Sequence, residues 1–130
     1  MIVLDASAVV ELLINGPAAD SLRRDLIRRH EPLIAPHLLD VEVASALRRL
    51  TAGKRIDAER TENLLKKLAV FPAERYAHMR LLGRIWELRH NFTAYDAVYI
   101  ALAEETNSVL YTTDEKLRKG HRARVVVLNG

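Results

Sequence analysis

Residues 1–17, MIVLDASAVVELLINGP, set three kinds of sequence in close succession. Residues 2–4 are a short apolar run with two β-branched side chains, the composition strands favour. Asp5 follows at once. Residues 7–15 then carry a helical pattern, and Gly16-Pro17 supplies a stop signal. A strand that is apolar at every position is buried on both faces, as in the parallel sheets of α/β proteins. In such sheets ligands sit outside the carboxyl ends of the strands, which is where Asp5 stands.

The same grammar repeats along the chain. Short apolar runs at residues 33–35, 109–112 and 125–128 read as further buried strands, and residues 70–71, closed by Pro72, are a candidate for a fifth. Helical patterns lie between them, over residues 18–29, 37–52, 57–68, 74–89 and 93–106, with a short one over 115–119 before Gly120. Alternation of this kind predicts an α/β fold, a three-layer α/β/α sandwich around a four- to five-stranded, mainly parallel sheet. No repeat, linker or low-complexity tract divides the chain, so residues 1–130 are expected to form one domain.

Composition narrows the chemistry. At 49% hydrophobic and 28% charged, the chain has the make-up of a soluble globular domain. It has no cysteine, which excludes disulfides, thiolate zinc sites and a cysteine nucleophile and suits a reducing cytoplasm. The opening residues lack the basic region of a signal peptide, and the longest apolar run, residues 97–103, is too short to cross a membrane. A net charge of +3 permits nucleic acid as a partner without requiring it.

The acids carry more information. Asp5 follows the first strand, and Asp114 follows the strand at 109–112. Either is also a good helix N-cap, and Thr112 with Glu115 spells a capping box. In LLDVEVASALRRL, residues 38–50, Glu42 and Asp40 lie at opposite edges of the apolar stripe, and the helical wheel does not choose between them. Asp96 is the sharpest case. It stands in TAYDAVYIALAEET, residues 93–106, a helix apolar on all sides until Glu104, with Tyr99, Ile100 and Ala103 on its own face. Thr93-x-x-Asp96 fits a capping box, but a buried unpaired carboxylate costs several kcal/mol. Two carboxylates about 4 Å apart repel by roughly 4 kcal/mol at an effective dielectric near 20. A gathered set of acids therefore needs protons or a hard cation, and Mg²⁺ suits oxygen ligands and phosphate chemistry.

Taken together, IVLDASAVVELL, the acid in LLDVEVASALRR, TAYDAVYIALAEET and LYTTDEKL resemble, in order and spacing, the PIN-domain ribonucleases, most closely the VapC toxins of VapBC toxin–antitoxin pairs. The resemblance covers essentially the whole chain. It implies that Asp5, Glu42 and Asp96 form an acidic triad holding Mg²⁺, with Mn²⁺ as a substitute, and that Asp114 is a fourth acid acting through water. It also implies that the Ser7 hydroxyl supports Asp5 and that Thr112 lines the pocket. Asp40 has no role in the pattern, which favours Glu42. The implied activity is hydrolysis of RNA with water as nucleophile, leaving a 5′-phosphate and a 3′-hydroxyl. The implied partners are a VapB-type antitoxin and a second copy of the chain. A solitary RNA-processing nuclease, or a binding module without catalysis, is the alternative.

Other constellations carry less. Arg23, Arg24, Arg28, Arg29, Arg48, Arg49, Lys54 and Arg55, with Arg118, Lys119, Arg122 and Arg124, form either an RNA footprint or solvated helix faces. The five histidines show no metal-ligand spacing, and Tyr95, Tyr99 and Trp86 read most simply as core or dimer packing. A phosphoacceptor module needs a second acid beside Asp5, where Ala6 stands. A phosphatase of the Asp-x-Asp type needs an acid where Ser7 stands.

Overall fold

The structure, a computed structural model, describes residues 1–129. Gly130, the last residue of the expected domain, lies outside them. Five strands, β1 (Ile2–Leu4), β2 (Leu33–Pro36), β3 (Ala73–Tyr76), β4 (Val109–Thr112) and β5 (Arg124–Val127), form one sheet in the order β3-β2-β1-β4-β5. Every neighbouring pair is parallel. The helices are α1 (Ala6–Ile14), α2 (Ala19–Arg29), α3 (Leu38–Ala52), α4 (Ala58–Ala69), α5 (Leu82–Glu87) and α6 (Ala94–Thr106). Single 3-10 turns cover Met79–Leu81 and Glu115–Leu117.

This order places the site. The chain builds from β1 outward to β2 and β3, then returns to add β4 and β5 on the other side of β1. β1 and β4 therefore flank the point where the winding reverses, and a crevice opens there beyond their carboxyl ends. The register pairs Leu4 with Tyr111, so the next residues, Asp5 and Thr112, lie side by side at its mouth.

Ile2, Val3 and Leu4 are fully buried in succession, so both faces of β1 are covered. α1 and α3 pack against each other, with α1 over β1 and β4. α6 lies against β1, β2 and β4, and α5 packs on α6. That setting explains why α6 is apolar all round: residues Ala97 to Ala103 are all buried. Its first turn emerges from the core, with Ala94 and Tyr95 exposed and Asp96 half-buried.

Two sequence expectations need correction. Residues 70–71 are not a strand; Val70 closes α4 and is 80% exposed. The fifth strand is β3, which begins at Ala73 and takes up the start of the segment expected to be a helix over 74–89. That segment is instead β3, a 3-10 turn and the short α5. The reason lies in Arg75. Its guanidinium donates to the carbonyls of Leu68 and Phe71, each at 2.9 Å, and pairs with Asp40 at 2.8 Å. The side chain thus caps the end of α4 while its backbone joins β2, and neither role leaves an apolar period in the sequence. The remaining elements fall within two residues of expectation. Among the described residues no helix is long and apolar enough to cross a membrane.

Candidate metal centre

Asp5 is held by the chain around it. It caps α1, its Oδ1 accepting from the Ala8 amide at 3.0 Å and from Ser7 Oγ at 2.6 Å, while Oδ2 accepts from Thr112 Oγ1. Both hydroxyls are themselves oriented by backbone amides. Thr113 N–H donates to Ser7 Oγ at 2.9 Å, and Asp114 N–H donates to Thr112 Oγ1 at 3.0 Å. With an accepting site of each hydroxyl occupied, their protons are free to point at Asp5. The capping reading of Asp5 is therefore correct and does not displace the other one. Asp5 is 7% exposed and its pKa is raised. Burial is the main cause, opposed by the three donors and reinforced by the charge of Asp96.

Glu42 projects from α3 beside core residues Leu39 and Val43. Its Oε1 accepts from the Tyr99 hydroxyl of α6 at 2.7 Å. Burial raises the Glu42 pKa first, the Tyr99 bond opposes, and the charges of Asp96 and Asp5 add to the rise. Burial and the same contact push the Tyr99 phenol far above its ordinary value. Asp40, the other edge of the stripe, is engaged by Arg75 on the far side of the helix. The wheel's ambiguity thus ends in geometry.

Asp96 occupies the first turn of α6, and Thr93 Oγ1 caps that helix by accepting from the Asp96 amide at 3.2 Å. Its carboxyl is raised by burial first and by the charge of Asp114 second, with Lys116 opposing. Asp114 itself caps the following 3-10 turn, accepting from the Lys116 amide at 2.9 Å. The capping box expected of Thr112 and Glu115 does not form: Thr112 turns to Asp5, and Glu115 pairs with Arg118.

Strand ends and helix starts from across the chain thus bring Asp5, Glu42, Asp96 and Asp114 into one electrostatic neighbourhood. Among the described residues no three of them close into a ready-made ligand set. The donors are all carboxylate and hydroxyl oxygens. A small hard cation that takes one or two carboxylates and keeps several waters fits such a set.

Tyr99, read as core or dimer packing, does lie in the core at 2% exposure, but sequence reasoning missed the hydrogen bond its hydroxyl gives Glu42. Its partner lies 57 residues away on another helix, which no wheel displays. Trp86 and Tyr95, also read as packing, are 66% and 61% exposed. Of the basic residues, Arg23, Arg28 and Arg118 sit in local ion pairs with Asp20, Asp25 and Glu115, as solvated helix faces do. Arg49 lies near Glu42 and opposes the rise of its pKa.

Comparison with known proteins agrees with this architecture. Residues 2–122 match the family model of the PIN domain. The chain is 44% identical to ribonuclease VapC9 of Mycobacterium tuberculosis over 90% of its own length and 88% of that protein's. It is 41% identical to ribonuclease VapC1 of the same species, over 88% and 86% respectively. The VapBC2 structure from Rickettsia felis, solved with a DNA fragment from the pair's promoter, superposes with a TM-score of 0.72. That likeness covers 99% of this chain and 100% of the other at 14% identity, and speaks for the fold. The chain belongs to the PIN-domain family, in its VapC branch.

Proposed function

We propose that this protein is a divalent-metal-dependent endoribonuclease and the toxin half of a VapBC-type pair. The observation that carries the reading is that four carboxylates share one electrostatic neighbourhood beside the carboxyl ends of β1 and β4, three of them with raised pKa. The relatives named as ribonucleases and the VapBC assembly of a neighbour in fold support it. Asp5, Glu42 and Asp96 would hold Mg²⁺ or Mn²⁺, with Asp114 acting through water. When bound, the cation supplies Lewis-acid polarisation of a phosphoryl oxygen and a lowered pKa for water.

The chain's own residues prepare that site. Ser7 and Thr112 fix the Asp5 carboxylate, and Tyr99 fixes Glu42, so little reorganisation remains when charge develops at phosphorus. Cleavage by water would leave a 5′-phosphate and a 3′-hydroxyl. A VapB-type antitoxin and a second copy of this chain are the proposed partners. A solitary processing nuclease is the runner-up, and a small antitoxin-like reading frame directly upstream separates the two.

The test is cleavage of RNA by purified protein with and without EDTA, alongside Asp5→Asn and Asp96→Asn. Chelation and either substitution are expected to lower the rate by about 100-fold or more. Robust cleavage by Asp96→Asn protein, with contaminating nuclease excluded, sinks the mechanism.

A further inference from the structure

Of the five histidines, His121 alone engages both ring nitrogens among the described residues. The Ala123 amide donates to Nδ1 at 3.0 Å, so that nitrogen keeps its lone pair. Nε2 lies 2.7 Å from the Leu117 carbonyl, which can only accept, so Nε2 carries the proton. The two bonds select one tautomer and fix the orientation of the ring. Gly120, at φ +101°, supplies the backbone turn just before it, in a conformation that L side chains rarely adopt.

The ring stands between two segments that carry acids. On one side, Leu117 closes the 3-10 turn that Asp114 opens. Its amide donates to the Asp114 carbonyl at 3.1 Å, and its side chain is fully buried. On the other side, the imidazole packs on Phe92, with ring centroids 5.8 Å apart and planes tilted by 54°. Phe92 is 8% exposed and directly precedes Thr93, whose hydroxyl caps α6 at the Asp96 amide. One side chain thus ties the turn of Asp114 to the start of the helix that bears Asp96. A ring that served only to fill space against Phe92 would need neither hydrogen bond, since a phenyl group packs there as well. What the two bonds add is a fixed place for the Leu117 carbonyl, three residues from Asp114.

We propose that His121 is a positioning residue, which through the Leu117 carbonyl and Phe92 sets the separation of Asp114 and Asp96 for the cation they would share. The inference rests on the ribonuclease reading and adds to it a side chain that acts only through its neighbours.

The test begins with nitrogen-15 NMR of unsubstituted protein, which should find the His121 proton on Nε2 and a bare Nδ1. The backbone amide signals of Asp96 and Asp114 are then titrated with Mg²⁺ in the absence of RNA. His121→Phe keeps a flat ring against Phe92 and removes both bonds, and is expected to weaken Mg²⁺ binding about tenfold. His121→Asn keeps an acceptor for Ala123 but does not reach Leu117, and should lose about as much, so the result does not hang on one variant folding. His121→Gln carries both a donor and an acceptor and should stay within about threefold of unsubstituted protein. In an Asp114→Asn background, His121→Phe should cost less than about twofold more, because the residue acts through that turn. The opposite tautomer at His121, unchanged Mg²⁺ affinity in the Phe and Asn variants, or losses that multiply fully with Asp114→Asn overturns the proposal. Failure is separable from that of the ribonuclease reading. Mg²⁺ binding that depends on His121, without any cleavage by unsubstituted protein, keeps the positioning role and ends the hydrolase. Mg²⁺-dependent cleavage indifferent to His121 does the reverse.

Discussion

At the scale of single residues, the site depends on hydroxyls as much as on acids. Asp5 receives two of them, each turned toward it by a backbone amide from the β4 end. Glu42 has one, from a tyrosine 2% exposed in the core. Groups that orient a ligating carboxylate usually matter by about 10–100-fold in metal affinity or activity. Tyr99→Phe keeps the ring and its packing and removes only the donor. It is expected to lower cleavage about tenfold, chiefly by raising the Mg²⁺ concentration needed for half-maximal rate. The melting temperature should move little, because half-exposed Glu42 can be hydrated. Activity titrated against Mg²⁺ checks this. A variant whose Mg²⁺ curve matches that of unsubstituted protein would leave Tyr99 a packing residue only. Asp5, Asp96 and Asp114 stood out in the sequence because a carboxylate after a buried strand or inside an apolar helix breaks a local rule, whereas Glu42 was favoured over Asp40 by the family resemblance alone. The tyrosine broke none, so nothing in its own neighbourhood drew notice.

At the scale of elements, the sheet was legible wherever burial left a run of β-branched residues, as in β1 and β4. It was not legible at β3, whose AERY sequence is an edge strand shaped by one arginine's hydrogen bonds. Taken as one long helix, the segment from β3 to α5 hides how little of α5 and the turn before it is covered. Met79, Leu82 and Trp86 are 71%, 50% and 66% exposed. They recur at spacings of three and four, on the side of α5 away from the core residues Leu81 and Leu88. Three large apolar side chains on one exposed stripe are the strongest candidate for the contact between copies. In the homodimer proposed above, Trp86→Glu, with Arg89 stacked on the indole at 4.3 Å, is expected to shift the protein towards monomer. Size-exclusion chromatography with light scattering reads the mass directly. A Trp86→Glu protein that remains dimeric places the contact elsewhere.

At the scale of the whole molecule, α6 carries Asp96 near one end and Glu104, next to exposed Glu105, near the other, and the carboxyls of Asp96 and Glu104 are shifted in opposite senses. Asp96 opens at the carboxyl edge of the sheet among the other acids, where burial and Asp114 raise its pKa. Glu104 lies towards the amino edge, about 12 Å along the helix at 1.5 Å per residue. Burial would raise it, but the paired bonds from Arg84 at 2.7 and 3.0 Å and the Arg122 amide at 2.8 Å outweigh burial and lower it. A raised carboxyl gives stability that is complete below its unfolded pKa and lost as pH rises through the folded value. A lowered one gives stability present above its unfolded pKa and lost as pH falls through the folded value. In EDTA, then, the melting temperature should peak in mild acid, between roughly pH 4 and 6, and fall toward neutral pH as Asp5, Glu42 and Asp96 give up protons. Asp96→Asn should flatten the neutral limb and raise the melting temperature there by roughly 3–6 °C, even as it lowers cleavage in the way proposed above. Glu104→Gln should instead lower stability near neutral pH by about 1–2 kcal/mol and flatten the acid limb. On the proposed reading Mg²⁺ would replace protons as the neutralising charge, so at neutral pH it should raise the melting temperature of unsubstituted protein and leave Asp96→Asn nearly unmoved. Circular dichroism melts across pH, with and without Mg²⁺, track all three proteins. A curve in EDTA that climbs steadily from pH 5 to neutrality would mean that the acids at the carboxyl edge do not repel in the way their burial and spacing require.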